Sequence, residues 1–141
     1  MHQRLSTVTR TVTAHVSVVK GPPVPLSAEL SYDVADPYAV RLSFGEPTTS
    51  SVDWVFAREL LAEGLRRPTG SGDVLVLPRH RRHPHVMRVL LRNRADAALV
   101  ELAVPEVSAF LRQTFALVAD GTEFLHLDLD RAIRELTDTR G

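Results

Sequence analysis

The stretch "TVTRTVTAHVSVV", residues 7–19, alternates for a dozen positions, and that alternation is the tightest constraint in the chain. Val8, Val12, Ala14, Val16 and Val18 fall on one face, and Thr7, Thr9, Thr11, Thr13, His15 and Ser17 on the other. A period of two marks a long, half-buried strand. The same period returns three times. In "LSAELSYDV", Leu26, Ala28, Leu30 and Tyr32 point inward and Ser27, Glu29, Ser31 and Asp33 outward. In "YAVRLSF", Tyr38, Val40, Leu42 and Phe44 share a face, and "VDWVF" gives a fourth strand. The breaks are turn-forming: "KGPPVP", "ADP" and "GEPTTS".

The period then changes. "ARELLAEGLRR" puts Leu60, Leu61 and Leu65 on one helical face, with charges elsewhere, and Gly64 with "RPTG" ends it. "DVLVL" is continuously apolar and reads as a central strand. "VMRVLLR" and, after an "NRAD" turn, "AALVELAV" follow as strands. Pro105 suits a first helical turn. The helix "PEVSAFLRQTFALV" carries Val107, Phe110, Leu111, Phe115 and Val118 as its stripe, and "ADGT" stops it. A last helix, roughly 127–137, carries Leu129, Ala132, Ile133 and Leu136, with Asp128 or Asp130 as its cap. The expected fold class is α+β: two antiparallel sheets packed with helices, in the order β4-α then β3-α-α.

At 141 residues the chain suits one domain, taken as 1–141. Lys+Arg and Asp+Glu both total 17, so no net field draws it to nucleic acid or an anionic membrane. It has no cysteine, which excludes disulfides, thiol catalysis and thiolate metal sites and fits a reducing cytoplasm. No apolar run approaches the ~20 residues of a membrane span.

Charge is nevertheless uneven. "RHRRHPHVMR", residues 79–88, holds three histidines and four arginines, between two strands that form a hairpin. The plain reading is a solvated loop. A metal site at His80, His83 and His85 is disfavoured: adjacent arginines repel a dication, and the nearest acids are Asp73 and Asp96. Phosphate binding by Arg79, Arg81, Arg82, Arg88, Arg92 and Arg94 lacks stacking platforms, because no aromatic lies between Phe56 and Phe110. An acidic protein partner uses the same charges. Arg79, Arg81, Arg82 and Arg88 are therefore the candidate partner-binding residues, with no metal and no cofactor expected.

No catalytic set assembles. There is no "G-x-S-x-G" elbow, and "GSGD" and "PTGSG" lack the lysine of a phosphate loop. The acids of "LDLD" read as a helix cap, His126 as structural, and Trp54 as core. The residues favour a non-enzymatic interaction domain.

"LSYDVADPYAVRLSF", "VDWVFARELLAEGL" and "RPTGSGDVLVLP" occur in that order. Together they resemble the SsgA-like proteins of actinobacteria, the SsgB branch most, over about residues 26–130. The resemblance implies a non-enzymatic role in sporulation-specific cell division: positioning the septum and recruiting the tubulin-like protein FtsZ. It implies a fold similar to the Whirly single-stranded nucleic-acid-binding proteins. It also implies a cytoplasmic homo-oligomer, a trimer favoured, acting at the division septum beside other SsgA-like proteins. FtsZ is generally acidic, so the arginine loop is an expected contact. The alternative function is single-stranded nucleic-acid binding; neutral net charge and sparse aromatics argue against it.

Overall fold

The structure is a computed structural model, and it describes residues 6–18, 21–45, 52–70, 72–78 and 82–127. Among the described residues, four strands and a helix are followed by three strands and a helix: β1 (Thr7–Val18), β2 (Val24–Asp33), β3 (Ala39–Phe44), β4 (Val52–Ala57), α1 (Arg58–Gly64), β5 (Val74–Leu77), β6 (Val86–Arg92), β7 (Ala97–Ala103) and α2 (Val104–Leu117). A short 3-10 turn spans Glu123–His126.

All seven strands belong to one antiparallel sheet in the order β4-β3-β2-β1-β7-β6-β5. This overturns the expectation of two sheets packed with helices, and with it the helix-rich Whirly-like α+β fold. The reason lies in the length of β1. Its residues Thr7–Val16 pair with β2, and His15–Val18 pair with Glu101–Ala98 of β7. One long strand thus takes a partner on each side and fuses two meanders edge to edge. Neither half is free to stack on the other as a separate layer. The helix expected at 127–137, with Asp128 and Asp130, lies outside the described residues but for Leu127, whose backbone is extended, and Arg79, His80 and Arg81 lie outside them too.

The inward face follows the alternation. Val12, Ala14, Ala28, Leu30, Tyr32, Val40, Leu42 and Phe56 from the first meander meet Val74, Val76, Met87, Val89, Leu91, Val100 and Leu102 from the second in one core. Each fully buried aliphatic side chain there contributes about 1.5–3 kcal/mol relative to exposure. α2 adds Val107, Phe110 and Leu111, its stripe at spacings of three and four. Pro105 occupies its first turn, where a missing N–H costs nothing, and Glu106 beside it complements the helix dipole.

β5 lies at the edge of the sheet, not at its centre. Its continuous apolar character has another cause: both sides are covered. Thr69 N–H donates to Val76 C=O at 2.9 Å, and Val76 N–H donates to Thr69 C=O at 2.8 Å, closing the edge. α1, which begins directly where β4 ends, packs on the same strand. Gly64 sits so tightly on Val76 that any added Cβ would overlap its side chain. The connection between β4 and β5, the two outer strands, therefore curls the sheet toward closure.

Candidate partner-binding surfaces

Of the four arginines singled out, the structure describes two. Arg82 is exposed in the β5–β6 connection, where Val86 N–H donates to His83 C=O. Arg88 stands on the outer face of β6, opposite Leu77 of β5 and Glu101 of β7. Glu101 in turn faces His15 of β1, so one row crosses three strands as Arg88, Glu101, His15. The Arg88 Nε is buried without an acceptor. Arg92 is tied down: its Nε and a terminal nitrogen donate to Gly72 C=O at 3.2 and 2.7 Å. Of the three tract histidines, His83 and His85 are both exposed. Among the described residues no three His, Asp or Glu side chains converge on a point.

A second surface is apolar. Val16, Val18, Leu26, Phe44, Val52 and Trp54 line an open recess of about 470 Å³. Trp54 is partly buried and packs against the core while forming part of this wall. Leu26, expected inward, is exposed, and so is Tyr38, expected on one face with Val40 and Leu42. Leu26 stands at the recess where β2 begins, and Tyr38 precedes β3 in the turn.

The interior holds one charged knot that the sequence reading missed. Arg58, expected on the charged side of its helix, is 1% exposed. One guanidinium nitrogen donates to the carbonyls of Thr114 (3.1 Å) and Val118 (2.8 Å), the other to Glu123 Oε2 at 2.9 Å. Its plane lies 4.2 Å from the Phe115 ring centre and 4.9 Å from that of Tyr32. A cation at a helix C-terminus satisfies carbonyls that have no helical partner. Arg58 thus locks the end of α2 and the 3-10 turn onto the β4–α1 corner. Tyr32 completes the knot by donating its hydroxyl to Pro37 C=O at 2.9 Å.

The electrostatics follow from this packing. Hydrogen bonding to its own backbone N–H, and then to Arg58, holds the Glu123 carboxyl below its ordinary range despite burial. Burial pushes the Tyr32 phenol above its usual range, opposed by the Arg58 charge. A carboxylate held ionised and paired is suited to fastening elements together, not to donating a proton. The signal that could have found Arg58 is present: β4 turns Trp54 and Phe56 toward the core at a period of two, and the next position on that face is 58. For Glu123 the sequence offers no such cue.

The fold defines a small protein built on one curled, wholly antiparallel sheet, with open surfaces on its outer face and at the recess. The model described as Streptomyces sporulation and cell division protein, SsgA, matches residues 26–123, and the chain belongs to that family. It is similar to the sporulation-specific cell division protein SsgB of Streptomyces coelicolor, 44% identical over 113 residues, covering 80% of this chain and 82% of that protein. It is 39% identical to SsgB of Frankia casuarinae over 127 residues, covering 90% and 89%. Among solved structures, an SsgA-like sporulation-specific cell division protein from Thermobifida fusca superposes with a TM-score of 0.82 at 36% identity, covering 96% of this chain and 98% of that one. The family is one of cell-division proteins, not a known enzyme family. No helix among the described residues is long and apolar enough to cross a membrane.

Proposed function

We propose that the protein is a non-enzymatic scaffold of sporulation-specific cell division, which helps position the septum and recruits FtsZ to it. The observation that carries this reading is near end-to-end likeness to an SsgB protein in sequence and to an SsgA-like sporulation-specific cell division protein in fold. Recruitment requires no bond-making, only a surface, and a homo-oligomer, with a trimer favoured, multiplies weak contacts along a filament. Other SsgA-like proteins are further partners, and the place of action is the cytoplasmic side of the division septum. The contact surface is the basic β5–β6 connection with Arg79, Arg81, Arg82 and Arg88, aimed at an acidic filament.

Co-sedimentation with assembled FtsZ filaments tests the reading. The native chain is expected to pellet with them, and the triple variant Arg79→Glu, Arg81→Glu, Arg82→Glu to remain largely in the supernatant. A native chain that stays soluble beside polymer overturns FtsZ recruitment. A triple variant that pellets normally at low salt removes the basic connection from the interface.

A further inference from the structure

The ladder around β1 is incomplete on one side. β2 covers it from Thr7 to Val16, but β7 covers only His15–Val18 before the chain turns into α2. The direction of each backbone group is fixed by the register. Val34 N–H donates to Ser6 C=O, so Ser6 and each second residue after it bond to β2. The intervening residues face the other way: His15 and Ser17 toward β7, and Thr7, Thr9, Thr11 and Thr13 toward no strand among the described residues. These four threonines present a row of N–H and C=O groups that no backbone hydrogen bond among the described residues satisfies.

α2 runs alongside this edge in the direction β7 would have continued. Glu106 Oε2 accepts from Arg10 Nε at 2.7 Å near its start, and Gln113, Ala116 and Leu117 lie beside Thr7, Val8 and Thr9 near its end. Between strand and helix are two open depressions, one at each side of the Arg10–Glu106 pair, of about 520 and 440 Å³. The second carries Glu101 and Glu106 against His15.

We propose that this edge is a docking groove for an extended peptide of a partner protein, which adds to β1 as an eighth strand. A free row of backbone donors and acceptors recognises another extended backbone. The flanking chemistry selects its side chains. An apolar residue meets Val8, Ala116 and Leu117, and a basic residue falls near Glu101, which makes no ion pair among the described residues, Glu106 being already held by Arg10. Of the basic tract's arginines Arg88 borders the groove, across from Glu101, so the co-sedimentation test, which varies Arg79, Arg81 and Arg82, fails or succeeds separately from this one.

The test is selection from a random eight-residue peptide library displayed on phage against the full chain, then titration of a selected synthetic peptide followed by amide NMR and hydrogen exchange. Selected sequences are expected to alternate, with a basic residue toward one end. Bound peptide should protect the amides of Thr7, Thr9, Thr11 and Thr13. Thr11→Pro removes one N–H from the open edge and leaves the β2 ladder its partners; it should weaken binding about tenfold. Thr11→Val, which changes only the outward side chain, should not, and Glu101→Gln should weaken binding severalfold and reduce its salt dependence. Should Thr11→Pro unfold the chain, methylating alternate amides of the peptide asks the same question from the ligand side, with the same tenfold loss expected. The proposal is overturned if no sequence is enriched or if protection falls elsewhere. It also fails if amide methylation leaves affinity intact. Sedimentation showing that Thr11→Pro dissociates an assembly of the chain alone would assign the edge to a second copy and reject the peptide.

Discussion

Replacing Arg58 by methionine tests how the end of α2 is held. The arginine is 1% exposed and its Glu123 partner 11% by side chain, so solvent screens neither charge well. Methionine fills much of the volume but leaves a buried carboxylate without a counter-charge and the Val118 carbonyl without its donor, while the Thr114 carbonyl keeps only the Val118 N–H. Breaking such a buried pair from one side costs about 3–5 kcal/mol. With an unfolding entropy of about 2.1 cal/mol/K per residue, this chain melts with an entropy near ~0.3 kcal/mol/K. The expected fall in melting temperature is therefore roughly 10–17 °C, read by calorimetry at pH 7. The double variant Arg58→Met, Glu123→Leu should recover much of it, because an apolar pair can replace a buried ion pair. Acid adds a second readout. The folded carboxyl of Glu123 titrates below its unfolded value of 4.5. Its contribution is thus complete above that pH and is lost as pH falls through the lower, folded value. Glu123→Gln should flatten the acid limb of the stability profile. An Arg58→Met protein melting within about 3 °C of the native one, or a double variant weaker than the sum of both singles, would refute this account of the knot.

Three further outcomes can be checked by the same melts. Tyr32→Phe leaves the Pro37 carbonyl buried without a donor and should cost about 1–3 kcal/mol; it should also abolish the loss of stability at high pH that a phenol with a raised folded pKa produces as pH climbs past 10. Gly64→Ala forces a methyl into Val76 and should destabilise by about 1–3 kcal/mol, although alanine is the better helix former. Arg10→Met breaks an ion pair that is about a third exposed on each side, and should lower the melting temperature by no more than about 3 °C, less still in high salt.

Strand positions were legible in the first meander because it keeps a clean period of two, and Val12, Ala14, Leu30 and Leu42 are buried where that period puts them; in the second they were legible as short apolar runs between turns. Helices were legible through the change of period at Arg58 and through Pro105. Pairing order was not. Nothing local in "AHVSV" announces that it meets "ALVE" far along the chain, and a helix closing each run of strands read as two separately packed sheets. "DVLVL" misled for a related reason: a turn and a helix cover an edge strand as thoroughly as neighbouring strands cover a central one. Of the interaction surfaces, the arginine-rich connection was visible as composition. The Arg58 knot and the bare side of β1 depend on contacts between distant segments, which composition does not record.

The seam between the two meanders also sets a timetable. About eighty residues of chain lie between Val18 and Ala98, the strands that must zip together. At synthesis rates of roughly 5–20 residues per second, that interval lasts several seconds, whereas hairpins close in microseconds. The first four strands can therefore assemble while the side of β1 reserved for β7 is still vacant. Until β7 is made, the His15–Val18 stretch that it covers stands open with the rest of that edge, and a neighbouring strand can compete for it.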